Sequence, residues 1–424
     1  MSDKQTDLPS RPKGQVPDPS IALKPCDYDS VKDHVEKINK LASTITPTDN
    51  ATRLELAEAA RKLVRALEHP RETMIKHCWA QPAAMSAITT LVDLGLFEVM
   101  AEDGGKPKKV TELAKATGAD PTLIARLLRH LGAMGYVEET DVDEYKPTNF
   151  TKSLVIPIIY AGYPVLSGGL LSANNKFHEF MKKTNYKTPE DMKNGPLQYA
   201  YNTDKNMFEH LHANPPYGDL FNLHMGGYSQ GRASWMDKGF FPVEERLIKG
   251  ADTSKDAPFL VDIGGSIGHD IQEFLDKYPS APGRLVLQDL GPVLAKIEKL
   301  DSRIERMEYN FLTEQPVKGS RAYYMHSVLH DWPDAECLKI LARIKEAMKP
   351  GHSKLLINEN VIPPRNAQWE ATGLDILMMT YLASKERTEQ DWRKLLGDAG
   401  LKISNIVSSP SSPFSCSIEL PRHD

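Results

Sequence analysis

Three short stretches in the second half of this 424-residue chain carry residue types that suit one small-molecule cofactor. The first is Val261-Asp262-Ile263-Gly264-Gly265-Ser266-Ile267-Gly268. A glycine-rich turn after a first strand is where doubly wound sheets bind nucleotides. Glycine lets the backbone approach the ligand and lets the following helix pack closely. The dinucleotide fingerprint requires glycine where Ser266 stands, which argues against a nicotinamide or flavin dinucleotide. Asp262 argues the same way, since its carboxylate would repel a pyrophosphate but suits a cationic amino group. S-adenosylmethionine carries both an ammonium and a sulfonium. The second stretch ends in Asp289, where an acid at a strand end accepts from both hydroxyls of an adenosine ribose or, alternatively, caps a helix. The third ends in Asn310-Phe311, placed to bond the edge of an adenine ring and to stack on it. Each signal alone is weak. In series they predict an adenosine cofactor without pyrophosphate, touched by Asp262, Gly264, Gly265, Gly268, Asp289, Asn310 and Phe311.

The elements that must position these residues begin at Pro258. Short apolar runs (FLVDI, LVLQD, MEYNF, AYYMH, KLLINE) alternate with helical stretches (GHDIQEFLDKYP, PVLAKIEKL, PDAECLKILARIKEAMKPG). This alternation predicts an α/β fold with a mostly parallel, Rossmann-like sheet over residues 251–424. A late run, SCSIEL, is placed to pair antiparallel at the sheet edge.

The first half reads differently. Residues 1–27 are polar and Pro-rich and are expected to form a flexible lead-in with no secretory signal. Residues 28–150 form a helical region. Within it, VTELAKATG ending at Gly118, a second helix starting at Asp120-Pro121, and the hairpin YVEETDVDEYKPT read as a winged helix. Such a module often reads DNA, but this wing holds Glu138, Glu139, Asp141, Asp143 and Glu144, which would repel phosphate. Dimerisation is the better reading, even with Arg126, Arg129 and His130 on the second helix. Residues 151–250 read as a helical connector that walls a pocket, with Tyr160, Phe177, Phe180, Met181, Met207, Phe208, Phe221, Met225, Tyr228 and Trp235. For any one of these, ordinary core packing is the competing assignment. The run from Leu154 to Asn175 approaches a membrane span in length, but Pro157, Pro164, Gly162, Gly168 and Gly169 interrupt it, so a broken buried helix is expected.

Composition agrees with a soluble, cytoplasmic enzyme: apolar residues make up 40% and charged residues 26%, and the net charge is −5. That charge gives no reason to expect nucleic acid or a membrane as partner. Four scattered cysteines make no metal-ligand spacing, so no metal is expected.

The runs HSVLHDWPDAECLKIL, NENVIPP and SKERTEQDWRKLLGDAGL closely resemble the plant caffeate-type and fungal polyketide-type small-molecule O-methyltransferases. The resemblance is strong over residues 258–402, weaker in the winged-helix region and FNLHMGG, and does not cover residues 1–50. It implies a homodimer formed through the N-terminal helices and a C-terminal sheet that binds S-adenosylmethionine. It implies His330 as general base, flanked by Glu359 and Glu386, with Asp331 near the substrate. It also places Asp289, Leu290, Asn310, Phe311 and His326 at cofactor contacts. Ser266, Ile267, Asn310 and His326 depart from the family's usual residues. The chemistry is consistent with that role, because a neutral imidazole can deprotonate a phenol, whose pKa is about 10, while a methyl group moves to the oxygen. His330 is expected directly before a helix that starts at Asp331, Trp332 and Pro333, where the helix N-terminus favours the neutral ring.

An apolar, Met-rich pocket wall over 154–181, 207–235 and 374–382, with Phe221, Met225, Trp332, Met378 and Met379, suits a flat hydrophobic acceptor. The expected activity is methylation of a phenolic or enolic hydroxyl of a polyketide or alkaloid. The alternative is an enzyme of the same fold that keeps S-adenosylmethionine but catalyses dehydration or pericyclic cyclisation.

Overall fold

The computed structural model describes residues 17–227, 234–409 and 412–421. Tyr228 and the first part of the expected lead-in lie outside them. Residues Pro19–Leu23 form a 3-10 turn capped by Asp18.

The helical half starts with a hairpin of α1 (Val31–Ala42) and α2 (Asn50–Leu67), and α3 (Gln81–Asp93) enters the core. Helices α4 (Val110–Thr117) and α5 (Pro121–Ala133) follow. Their turn is built by Gly118 at φ 72° and by Asp120, whose carboxylate caps the Thr122 N–H at 2.8 Å. Strands β1 (Val137–Asp141) and β2 (Glu144–Pro147) then pair antiparallel, with a two-residue strand at Lys108–Lys109 beyond β2. Leu91, Phe97, Leu113, Ile124, Leu128 and Tyr145 close one core here. The hairpin's acids bind this domain's own bases. Lys109 meets Asp141 at 3.1 Å, and Arg129 meets Asp143 at 3.2 Å. His130 Nε2 lies 2.9 Å from the Ala80 carbonyl and so is committed inward.

The uncharged run after Leu154 is broken, as expected. Helices Pro157–Tyr160 and Gly162–Pro164 and a π-turn at Val165–Leu170 lead into α6 (Leu171–Lys183). Two glycines are needed for packing: a Cβ on Gly162 would lie 2.8 Å from the His224 ring, and one on Gly168 would lie 2.5 Å from the Tyr217 hydroxyl. No single helix among the described residues is long and apolar enough to cross a membrane.

The C-terminal half is a seven-stranded sheet. Its strands are β3 (Pro258–Ile263), β4 (Arg284–Asp289), β5 (Ile304–Glu308), β6 (Ala322–His326), β7 (Lys354–Glu359), β8 (Asn405–Ser409) and β9 (Ser412–Pro421). Their spatial order is β8-β9-β7-β6-β3-β4-β5. The strands from β5 to β7 run parallel, and β9 lies antiparallel to both β7 and β8. Helices α7 (His269–Lys277), α8 (Asp334–Ala347), α9 (Trp369–Leu382) and α10 (Glu389–Asp398) complete the half. Apolar cores cover both sheet faces, which is why the central strands read as continuous apolar runs.

Four details differ from expectation. SCSIEL does pair antiparallel, but inside the edge, because β8 lies beyond it. The strand expected at MEYNF starts earlier, at Ile304; as an edge strand it alternates buried and exposed residues instead of running apolar throughout. PVLAKIEKL makes only one helical turn, Gly291–Leu294, after which the chain takes an irregular path with Ile297 turned inward. The helix after His330 starts at Asp334, with Pro333 as its N-cap, and His330 itself sits in a separate 3-10 turn at Leu329–Asp331.

Candidate active site

Two strand ends and one crossover bring the acid groups to His330. Glu359 is the last residue of β7. Two residues on, Val361 and Ile362 pair in parallel with Arg387 and Thr388, which sets Glu386 beside Glu359. Both glutamates and the histidine are buried. His330 Nδ1 lies 2.7 Å from Glu386 Oε1 and 4.0 Å from Glu359 Oε2. Nε2 lies 3.5 Å from Asp331 Oδ1, on the side of the ring away from the glutamates. Glu359 Oε1 accepts from the backbone N–H groups of Val328 (3.0 Å) and Leu329 (2.8 Å), and so ties the turn that carries His330 to β7. The Ser384 hydroxyl donates to the His330 carbonyl at 2.5 Å, and the Glu386 N–H donates to Asp375 Oδ1 at 2.9 Å.

The electrostatics overturn the expected helix-dipole effect. Burial alone would lower the His330 pKa, but Asp331, Glu359 and Glu386 together hold it well above the usual value. The helix N-terminus is displaced to Asp334, and the carboxylates dominate. Burial pushes the Asp331 carboxyl up to about 7, against the pull of the imidazole. Glu359 is raised by burial as well. A base whose conjugate acid is stabilised is a stronger base, so proton transfer from a phenol is less uphill.

Arg387 was not singled out by the sequence, although it belongs to the KERT run. It is 1% exposed. It donates to the carbonyls of Leu329 (2.8 Å) and Trp332 (2.9 Å) and to Asp334 Oδ1 (2.7 Å), and its guanidinium stacks on Trp392. It therefore clamps both ends of the turn that holds His330. Its five donors in a planar fork explain why a lysine would not serve.

The glycine turn follows β3. Gly264, Ser266 and Gly268 adopt positive φ angles of 71°, 55° and 88°. Ser266 thus keeps the left-handed conformation that a glycine would take freely, and its N–H donates to Asp289 Oδ2 at 2.8 Å. Gly265 must lack a side chain, since a Cβ there would sit 2.5 Å from Asp262 Oδ2. That oxygen is buried and, among the described residues, has no hydrogen-bond partner. Burial, with Asp270 and Asp289 nearby, raises the Asp262 pKa well above normal. A bound ammonium meeting that oxygen would relieve the desolvation cost. The donor set therefore fits the amino end of S-adenosylmethionine. Asp289 Oδ1 also accepts from the Leu290 N–H at 2.7 Å, and lone pairs remain for ribose hydroxyls. Leu290 itself is exposed. Asn310 is exposed and turns its Oδ1 to the Leu312 N–H at 3.0 Å, which leaves its NH₂ free of that turn. The Phe311 ring stands edge-on to Trp332 at 5.5 Å. His326 Nδ1 meets Asp270 at 2.7 Å.

Among the expected pocket residues, Met378 belongs to a core cluster against which Phe221 and Trp332 pack. Met225 and Met379 lie outside that cluster, and Met225 is exposed.

Residues 239–402 match the O-methyltransferase domain model, and residues 81–155 match the O-methyltransferase dimerisation domain model. The chain is 37% identical to the O-methyltransferase mpaG of Penicillium roqueforti, over 90% of this chain and 96% of that protein. The chain belongs to the S-adenosylmethionine-dependent O-methyltransferase family. Two solved structures resemble this methyltransferase along most of its length. One is described as a pericyclic reaction enzyme (30% identity, TM-score 0.82, 92% of this chain and 99% of that one). The other is OxaC in complex with sinefungin and meleagrin (28% identity, TM-score 0.81, 92% and 98%). The methyltransferase thus has the class I fold expected from its strand-helix alternation, preceded by a dimerisation domain.

Proposed function

We propose that this methyltransferase acts on a phenolic or enolic hydroxyl of a secondary metabolite, a polyketide or an alkaloid, with His330 as general base. The observation that carries this is the fixed imidazole. Nδ1 is committed to Glu386 at 2.7 Å, so the substrate proton goes to Nε2. Glu386 and Glu359 stabilise the imidazolium as it forms. Asp331, beside Nε2, orients the incoming hydroxyl. Trp332, Met378 and Phe221 supply an apolar wall against which a flat ring packs. Asp262, Gly264, Gly265, Gly268, Asp289, Leu290, Asn310, Phe311 and His326 hold the cofactor. Bound there, S-adenosylmethionine supplies an electrophilic methyl group.

In this reading residues 28–150 form the dimerisation region, 151–250 the pocket connector and 251–424 the catalytic region of a homodimer. OxaC was solved with the small molecule meleagrin, which supports a small-molecule acceptor. A second reading, pericyclic or dehydrating chemistry with the cofactor retained, is supported by the pericyclic neighbour. Incubation with methyl-labelled S-adenosylmethionine and a panel of phenolic polyketides and alkaloids separates the two. Acceptor-dependent release of S-adenosylhomocysteine, lost in His330→Ala, is expected. Conversion of an acceptor without cofactor turnover would establish the second reading instead.

A further inference from the structure

Around His326, named above among the residues that hold the cofactor, lies a polar network whose other members have no role in that reading. Asp270 lies in the first turn of α7, directly after the glycine turn. One of its oxygens, Oδ2, accepts from the Tyr324 hydroxyl and meets His326 Nδ1, both at 2.7 Å. Asn358 Nδ2 donates to the same hydroxyl at 3.0 Å. The Asp270 and His326 side chains are 19% and 21% exposed. Burial would raise the Asp270 carboxyl, but His326 and Tyr324 hold it below its ordinary value, so it remains ionised. The spacing of this network fits an amino acid. Asp262 on β3 pairs with Tyr324 on β6, and His326 lies two residues further along. Two residues along a strand and one strand across put Asp262 and His326 about 8 Å apart at Cα. Both side chains leave the same face of the sheet, so the ammonium and the carboxylate of one amino acid can be met from that face. Asp262 offers a buried, unpartnered oxygen for the cation. On His326, Nδ1 is taken, which leaves Nε2.

We infer that Asp270 is a positioning residue that holds His326 so that its Nε2–H grips the methionyl carboxylate of the cofactor. Nδ1 meets Asp270, and Nε2 is the nitrogen left to meet the cofactor carboxylate. Asp270 does not touch the cofactor; it acts through His326. This rests on the cofactor site described above and adds a residue to it.

The test compares two ligands by calorimetry on the full-length protein. S-adenosylhomocysteine carries the amino-acid end, and 5′-methylthioadenosine lacks it. Asp270→Asn keeps an acceptor for Tyr324 and removes the charge. It is expected to weaken S-adenosylhomocysteine about tenfold or more, the scale of one charge-assisted hydrogen bond, and to leave 5′-methylthioadenosine unchanged. In the same background His326→Lys, whose ammonium needs no partner to orient it, is expected to restore most of the loss. Equal weakening of both ligands in Asp270→Asn, with no rescue by lysine, would mean that the network only props up the loop and would overturn the inference. So would unchanged binding of both ligands. If the wild type bound neither ligand, the cofactor site itself would be wrong. If the wild type binds and transfers methyl but Asp270→Asn behaves normally, only this inference fails.

Discussion

The base cluster and the glycine turn lie at adjoining strand ends, yet they are built in opposite ways. Around His330 the structure depends on side chains: three carboxylates face the ring, and Arg387 ties the turn from both sides. Around Gly264 to Gly268 it depends on backbone: three left-handed residues, and amides that point at Asp289 and at the carbonyl of Gln288. A site made of charges tolerates little change of residue type. A site made of backbone tolerates a side chain where there is room for one and the residue can adopt the conformation, which is how Ser266 keeps a φ of 55° while Gly265 beside it must stay bare.

That contrast orders the expected effects of substitution. His330→Ala removes the proton acceptor and is expected to lower acceptor-dependent turnover by about 10²- to 10⁴-fold, with S-adenosylhomocysteine affinity unchanged by calorimetry. Comparable loss of cofactor binding would mean that the two sites are not separable. Arg387→Ala leaves the carbonyls of Leu329 and Trp332 without their donor, whereas Asp334, half-exposed, keeps Lys385. It is expected to cost about 2–4 kcal/mol in chemical denaturation, the scale of two buried acceptors left unsatisfied. A loss under 1 kcal/mol would show that the turn is held by Glu359 alone. Glu386→Gln keeps a hydrogen-bond acceptor for Nδ1 but removes a charge, and is expected to slow kcat about tenfold, the scale of one pKa unit. Ser266→Gly relieves the left-handed φ but adds chain entropy to the unfolded state. The expected change in stability is below about 1 kcal/mol, with cofactor affinity within twofold. A large change there would remove the contrast between the two sites.

The same contrast accounts for what was legible in the sequence. Strands buried on both faces announce themselves as apolar runs, so FLVDI, AYYMH and KLLINE were readable, and the glycine turn followed from its place after the first of them. The turn between α4 and α5 was readable because Gly118 and Asp120-Pro121 are local signals with local causes. His330 was legible only through the HDW-to-KERT resemblance, since a lone histidine at a turn carries no chemistry by itself. The rise in its pKa was not legible because two of the three carboxylates that cause it, Glu359 and Glu386, lie 29 and 56 residues away in sequence and are joined by a two-residue strand pairing. Asp270 and His326 are likewise 56 residues apart, and only the packing of α7 on β6 brings them together. The edge strands were the least legible, since β5 alternates exposed and buried residues and β8 lies outside the antiparallel strand expected to end the sheet.

The pH dependence of kcat/KM for acceptor-dependent S-adenosylhomocysteine release, measured in wild type and in Glu386→Gln, tests the base cluster most directly. Surrounding carboxylates raise the His330 pKa, so the wild-type rate should rise with pH along a limb that lies above the ordinary imidazole range. Removal of one carboxylate removes part of that stabilisation, the ring loses its proton at lower pH, and the limb should move to lower pH. An acceptor's own ionisation would not move between the two proteins. A limb at the same pH in both, or no limb at all, would contradict the assignment of His330 as a base tuned by its glutamates.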